Sequence, residues 1–391
     1  MLHCLEFLRR QWNYALGKRL DWLSRTRESA NRCSLVSEPI GEIPERVDYY
    51  TQQSALKITK QLFPEYKHIY TEVQQVNLQR LDKAWTRWMV PDATGKRGGK
   101  PRFKKVGRLR SFTFPRVNCA KAGVHFTDRA IRFSRIGEMP IVLHRPVPDG
   151  FTPKTCTVIK RADGWYASIT LKDETVPAPM PISAIKTAVG LDVGLKEFYV
   201  TSKGESEPIA QFYRKAQHRL ARAQKKLSRK QKRSRNYLKQ INRVQRIHQK
   251  IERQRKEQHY RAANSLVNRY DLIALEDLNI RGLVKTRLGK SILDAAWGGF
   301  IRIVETVAVK RGCHVVKVQP HGTTQNCSGC GQTVPKKLSV RTHQCPHCGL
   351  EMDRDENAAI NILDKALNEV VLILSACGGL VSGQPAKQET L

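Results

Sequence analysis

Apolar residues recur at three- and four-residue spacing in Arg10-Gln11-Trp12-Asn13-Tyr14-Ala15-Leu16 and again from Val73 to Trp88, so residues 1 to about 90 are expected to be helical. The pattern then lapses. From Gly95 to Arg110 the chain is rich in Gly, Lys and Arg and reads as a basic linker or loop. Between residues 111 and 173 the period shortens to two. Ser111-Phe112-Thr113-Phe114, Val124-His125-Phe126, Ala130-Ile131-Arg132-Phe133, Thr155 to Ile159 and Trp165 to Thr170 are short alternating segments, with a turn at Asp163-Gly164. They predict an antiparallel β module, a small barrel, ended by Pro177, Pro179 and Pro181.

A third pattern starts at Thr187. Ala188-Val189-Gly190-Leu191-Asp192 reads as a buried strand. Residues 209–281 hold neither Gly nor Pro and predict a long helical hairpin (209–262) followed by the strand Leu272 to Glu276. A helix is expected from Ser291 to Lys310, a strand over Cys313 to Val318, and a helix from about Glu356. Strands alternating with helices predict an α/β layer with a mixed sheet. The chain therefore divides into a helical module (1–95), a β module (96–180), an α/β layer (181–320, resuming at 351–376), a Cys-rich insert (321–350) and a flexible tail (377–391).

Charge narrows the partners. Against 69 Lys and Arg stand 35 Asp and Glu, a formal net charge of +34. Such a surface repels itself unless an anion neutralises it, and nucleic acid does so through phosphate contacts. A membrane is not expected as a partner. The longest apolar stretch, from Val370 toward Val381, is interrupted by Ser375 and Gly378-Gly379 and falls short of the ~20 residues a span needs. The opening residues, with Cys4, Glu6, Arg9 and Arg10, show no secretory-leader pattern. Of ten cysteines, only four sit in paired CxxC spacing, which points to a reducing compartment with one metal site.

Those four, Cys327, Cys330, Cys345 and Cys348, form two CxxC pairs separated by fourteen residues. Four thiolates complete a tetrahedral zinc shell with no open position, so the zinc is expected to be structural. His343 and His347 lie inside the knuckle and are not needed as ligands. Immediately behind it comes Asp353-Arg354-Asp355-Glu356-Asn357-Ala358-Ala359. An acid this close to a knuckle directs attention to carboxylates at strand ends. Asp192 sits inside an apolar strand, where a lone carboxylate costs several kcal/mol unless paired. Glu276 ends the run Leu272 to Leu275. Taken singly, Asp192 could pair with an Arg, Glu276 could be a strand-end charge, and Asp353 and Asp355 could favour the helix dipole. Together they can converge on one point, where divalent ions would relieve their repulsion and two ions could clamp a phosphodiester.

From Arg214 to Lys256 there are 18 Lys and Arg and one acid, Glu252. A solvated helix face would carry both signs in i, i+4 pairs, so this hairpin is expected to face phosphates, with Arg222, Lys225, Lys226, Arg229, Lys230 and Arg233 as candidate contacts. Lys100, Arg102, Lys104 and Lys105 are candidates in the basic loop. Trp12, Tyr14, Trp85 and Trp88 could stack on bases, although core positions suit most of them better.

The segments Gly190-Leu191-Asp192-Val193-Gly194, Ile273-Ala274-Leu275-Glu276-Asp277-Leu278, the Cys327 to Cys348 knuckle and Asp353 to Ala359 together resemble the TnpB family of transposon-encoded, RNA-guided DNA endonucleases, which are related to type V CRISPR effectors. Gly99 to Lys104 and Trp12 to Leu16 match as well, so the resemblance spans nearly the whole chain. It implies an RNase H-like (RuvC) nuclease domain with an inserted zinc knuckle, preceded by a wedge-like β-barrel and an N-terminal helical recognition module. It implies Asp192, Glu276 and Asp355 as catalytic Mg²⁺ ligands for two ions, with Asp355 preferred over Asp353. The implied partners are a guide RNA from the protein's own locus and double-stranded target DNA, cut beside a short flanking motif, in a cytoplasmic, nucleoid-associated setting. Family members usually open with a β-strand ahead of the first helix, whereas here Met1-Leu2-His3-Cys4 lies almost inside that helix. Two other functions share these features. A nuclease-inactive guided repressor would have no need of three carboxylates, and a strand-transferring transposase would join ends where hydrolysis leaves them free.

Overall fold

The computed structural model describes residues 1–32, 45–173, 177–337 and 340–376; the expected flexible tail lies outside them. Two compact units divide the chain, residues 1–174 and 175–391.

In the first unit, helix α1 (Leu2–Arg32) packs against α4 (Thr71–Met89), with α2 (Tyr49–Ser54), α3 (Leu56–Leu62) and a 3₁₀ turn (Pro64–His68) between them in sequence. Trp12, Ala15 and Leu16 meet Leu78, Leu81 and Trp85 in one apolar cluster, so Trp12 and Trp85 are core and only Tyr14 of the four expected stacking rings is largely exposed. Strands β1 (Ser111–Phe114), β5 (Thr152–Lys160) and β6 (Trp165–Lys172) form one antiparallel sheet, and β2 (Val124–Phe126), β3 (Ala130–Phe133) and β4 (Gly137–Pro140) another. The expected barrel is therefore corrected: among the described residues the two sheets stay separate. Where further strands would close a barrel, helical side chains fill the core instead. Cys4, Leu5, Phe7 and Leu8 of α1 and Val73 of α4 share it with Phe112, Phe114, Ile131, Phe133, Cys156 and Val158.

The second unit is built on a five-stranded mixed sheet. It contains β7 (Ala188–Asp192), β8 (Glu197–Thr201), β9 (Ser206–Pro208), β10 (Leu272–Glu276) and β11 (His314–Val318), ordered β11-β10-β7-β8-β9. The first three in sequence pair antiparallel, and β10 lies parallel to both β7 and β11. Helices α5 (Phe212–Ser228) and α6 (Arg235–Arg269) form the expected hairpin. After β10 come α7 (Ile280–Leu283), α8 (Gly289–Ala295) and α9 (Trp297–Val309). The single helix expected over Ser291 to Lys310 is broken at Ala296, which adopts a left-handed φ of 55° and redirects the chain. The hairpin β12 (Thr342–Gln344) and β13 (Glu351–Asp353) leads directly into α10 (Arg354–Ala376).

The sheet is covered on both faces, which is why Leu272–Glu276 is buried at every position. Ile273 and Leu275 face Ala263, Leu266, Phe300 and Val304 of α6 and α9, while Leu272 and Ala274 face Ile362 and Ala366 of α10. Among the described residues, no helix is long and apolar enough to cross a membrane.

Candidate active site and zinc knuckle

The register Leu275↔Leu191 puts Glu276 and Asp192 side by side as the last residues of two adjacent parallel strands. Carboxyl ends of parallel strands are where open α/β sheets bind ligands. Asp355 reaches the same end from the first turn of α10. The helix can come this close because Gly190 has no side chain: a Cβ there would stand 2.0 Å from the Ala359 carbonyl oxygen. The expected strand motif and helix motif are thus two halves of one contact.

The electrostatics follow from this crowding. Burial first, and then the charges of Glu276 and Asp355, raise the Asp192 carboxyl well above the usual carboxylate range. Burial also raises Glu276, against the opposing pull of Thr323 and Lys365. Glu276 is buried and accepts a hydrogen bond from the Thr323 hydroxyl at 2.5 Å. Asp355 accepts from Arg354 at 3.0 and 2.7 Å on Oδ1, and Arg341 stands 3.6 Å from Oδ2. Asp353 caps the helix instead, its carboxylate accepting from the Asp355 amide at 2.8 Å. Asp192, with two further carboxylates close enough to disfavour its charge, offers oxygen donors of the kind a hard divalent cation takes.

The four cysteines lie together, their sulfurs all within 4.8 Å of one another, with Cys327–Cys348 at 3.6 Å and Cys330–Cys345 at 3.5 Å. Zn–S bonds of about 2.3 Å require tetrahedral edges of about 3.8 Å, so the cluster is compatible with zinc. Each CxxC is followed by a glycine with left-handed φ, Gly331 at 75° and Gly349 at 76°, whose amides donate back to Cys327 and Cys345. Burial opposes the Cys345 thiolate, but the amides of Cys348 and His347 and the Cys330 thiol outweigh it and bring its pKa down to about 6. His343 is fully buried beside this set and contacts Lys336.

The basic residues divide into two groups. Arg222 and Lys226 line a cleft between α5 and α6. The cleft also gathers Arg219, Arg243, Arg246 and Lys250, none of which was singled out from sequence. Helical spacing on two antiparallel helices could have found them. Lys225 lies exposed on α5, and Arg229, Lys230 and Arg233 lie exposed in the following loop. Leu238 of α6 is 57% exposed. In the first unit the basic loop is not a free linker. Trp12 donates to the Arg102 carbonyl at 3.2 Å, and Asn13 exchanges hydrogen bonds with the Lys104 backbone at 3.0 and 2.7 Å. The Lys104 and Lys100 ammonium groups stand over Trp12 and Trp88 at 4.8 and 5.5 Å, while Arg102 and Lys105 remain exposed.

Sequence reading also missed Asp294. This buried acid accepts from the Tyr213 and Arg214 amides at 2.8 and 3.0 Å, capping α5 from α8. A lone acid between two apolar stretches was its only signal.

Two family models match this chain: "Probable transposase" over residues 172–287 and "Cas12f1-like, TNB domain" over residues 297–362. A Streptomyces pristinaespiralis protein described as "Putative RNA-guided DNA endonuclease" is 30% identical over 88% of this chain and 83% of its own length. "Putative RNA-guided DNA endonuclease InsQ" of Escherichia coli K12 is 33% identical over 81% of this chain and 78% of its own. Among solved structures, a Cas12f1–sgRNA–target DNA complex aligns over 92% of this chain and 82% of that one at 14% identity, with a TM-score of 0.49.

Proposed function

Because this chain belongs to the TnpB family of RNA-guided DNA endonucleases encoded by mobile elements, we propose that Asp192, Glu276 and Asp355 hold its catalytic divalent ions, two Mg²⁺. The observation that carries this reading is the meeting of the three acids at one end of the sheet, two on neighbouring strand ends and one on the helix that crosses them. Three antiparallel strands continued by two parallel ones, with helices on both faces, support an RNase H-type (RuvC) nuclease domain. Mg²⁺ bound there would activate a water and take up charge on the attacking and leaving oxygens. The chain's own residues prepare the site. Asp353 fixes the start of α10, Arg354 holds one oxygen of Asp355, and Thr323 holds one oxygen of Glu276. Zinc in the four-cysteine knuckle serves a structural role.

Guide RNA from the protein's own locus and double-stranded DNA are the partners, and a short motif flanks the cut. The cleft of Arg219, Arg222, Lys226, Arg243, Arg246 and Lys250 is suited to a sugar-phosphate backbone. Lys225, Arg229, Lys230 and Arg233 extend the same charge, and Lys100, Arg102, Lys104 and Lys105 offer a second basic surface on the N-terminal unit. That unit's helices and sheets are the candidate readers of guide and flanking motif.

The test is cleavage by the ribonucleoprotein purified after co-expression with its locus, on a plasmid library with a guide-matched target beside randomised flanks. Mg²⁺-dependent cuts beside one motif, absent in Asp192→Ala, are expected. Motif-selective binding without cuts would mean a repressor, and ends joined to a target would mean strand transfer.

A further inference from the structure

Asn357, Asn361 and Lys365 follow one another at intervals of four on α10, so they share a stripe beside the apolar one formed by Ala358, Ile362 and Ala366. Each donates to backbone carbonyls of the loop that enters the zinc knuckle. Asn357 reaches Asn326 at 2.8 Å; Asn361 reaches Asn326 and Thr323, both at 2.8 Å. Lys365 reaches Gln319 at 3.5 Å and also His321. The loop therefore runs antiparallel along the helix, one anchor per turn. Its own turn is tight: the Gln325 and Asn326 amides both donate to the Gly322 carbonyl, and Gly322 has a left-handed φ of 79°. On its zinc side, the Ser328 amide donates to Asn357 at 3.0 Å.

The product of this anchoring is the placement of one hydroxyl. Thr323 is 1% exposed, its carbonyl is held by Asn361, and its Oγ1 stands 2.5 Å from Oε1 of Glu276. We propose that Thr323 is a positioning residue for the divalent-ion site, and that the Asn357–Asn361–Lys365 stripe is the clamp that holds it in place. The Pro320 carbonyl, at 3.1 Å, is a second and longer acceptor for the same hydroxyl; donated to Oε1 at 2.5 Å, the hydroxyl would fix the plane of the carboxylate and leave Oε2 available to a cation. The stripe lies on the helix that carries Asp355, so one rigid element sets two of the three acids and the mouth of the knuckle. Partners of metal ligands act in this way elsewhere, and losing one weakens metal affinity by about 10–100-fold. The inference rests on Glu276 being a ligand, and the experiment separates the two ideas.

Mn²⁺ binding is followed by electron paramagnetic resonance on the zinc-loaded full chain freed of nucleic acid, with zinc content measured in parallel. Thr323→Val, which keeps volume and loses the hydroxyl, should retain full zinc and bind Mn²⁺ about tenfold more weakly. Thr323→Ser should bind as wild type, and Asn361→Ala should weaken binding less, in the same direction. Glu276→Gln is the control for the ligand reading: unchanged Mn²⁺ binding there would overturn that reading itself. If Glu276→Gln weakens binding while Thr323→Val binds as wild type, or if Thr323→Ser binds as weakly as Val, the positioning role is wrong. Should Thr323→Val fail to fold, unchanged Mn²⁺ binding in Asn361→Ala overturns the clamp, and weaker binding supports it.

Discussion

The four thiolates and the three carboxylates stand in the same unit, on either side of one loop, and they are built in opposite ways. The sulfurs are already gathered at ligand spacing, closed by two matching CxxC-Gly turns, with Cys345 disposed to ionise. The carboxylates are held by rigid elements, Asp192 and Glu276 in positions that disfavour their charge, and each of the three has a protein donor or a like-charged neighbour beside it. A structural ion needs only a shell that closes. On the proposed reading, a reactive site must keep oxygens available, and the fold would bear the electrostatic cost at Asp192 and Glu276 until a cation arrives. Proteins commonly carry such strain at functional positions.

The sharpest break of this contrast is Asp192→Asn. Cleavage should fall by far more than the ~100-fold that loss of an outer partner can cause, while the metal-free protein becomes more stable. The sign follows from the raised Asp192 carboxyl. A folded-state value above the unfolded one gives stability that is complete below the ordinary carboxylate range and lost as pH rises through the folded value. At neutral pH the wild type carries that loss and the Asn variant does not. Thermal melting without divalent ions should therefore show a higher Tm for Asp192→Asn, and Mg²⁺ should raise the Tm of the wild type only. A lower Tm for the variant at neutral pH would contradict the electrostatic account.

Next in size is zinc removal. Chelation should disorder the knuckle, because structural zinc contributes roughly 10–16 kcal/mol to such modules. It should also weaken Mn²⁺ binding by the carboxylates, none of which touches zinc, because Ser328 and Asn326 anchor Asn357. The reverse should not hold: Asp192→Asn should keep one zinc per chain by elemental analysis. A symmetrical result, with each site insensitive to the other, would separate knuckle from active site.

Gly190→Ala tests the strand–helix contact that brings Asp192 and Asp355 to one end of the sheet. Its Cβ would collide with Ala359 O at 2.0 Å and press on Leu363 N at 2.9 Å, so α10 must move off the sheet. Overpacking of this kind costs about 1–3 kcal/mol, a drop of several degrees in melting temperature for a unit this size. Mn²⁺ affinity should fall with it, while zinc content stays complete.

How much of this was legible depended on whether a signal was local. The CxxC spacing, the apolar strands ending in Asp192 and Glu276, and the Gly-free hairpin are each carried by neighbouring residues, and the structure places every one as an element or a cluster. Ser206–Pro208 was missed because a three-residue edge strand has too little period to register, and the five-residue Glu197–Thr201 because four consecutive buried positions leave it no alternation. The barrel was expected from alternation as well as from the family resemblance, and alternation reports that one strand face is buried and not what buries it; α1 and α4 do so here. The Thr323, Asn357 and Asn361 links were invisible for a related reason. Each residue is unremarkable in its own segment, and the pattern exists only across 31 to 38 positions of chain once α10 lies along the loop. Asn357 and Asn361, polar and one turn apart among Ala358, Ala359, Ile360 and Ile362, were the one available hint.

The smallest expected effect concerns Arg341, and it examines the contrast at its finest point. Arg354 holds Oδ1 of Asp355 at 2.7 Å from a side chain that is 12% exposed. Arg341 approaches Oδ2 at 3.6 Å from a side chain that is 49% exposed. A half-exposed pair at that distance gains little Coulomb energy in water and costs side-chain entropy to hold, so it contributes about 0–1 kcal/mol. Arg341→Ala should leave the melting temperature nearly unchanged. A cation approaching Oδ2 must displace Arg341, however, so its removal should tighten Mn²⁺ binding slightly, an effect that grows as ionic strength is lowered. Arg354→Ala should do the opposite and weaken Mn²⁺ binding, since it frees the buried end of the carboxylate to turn. Two arginines on one carboxylate with opposite effects on the same titration would show that this site is held from behind and kept open in front. If both substitutions weaken binding equally, Arg341 is a support like Arg354, and the carboxylate site is more closed than its geometry indicates.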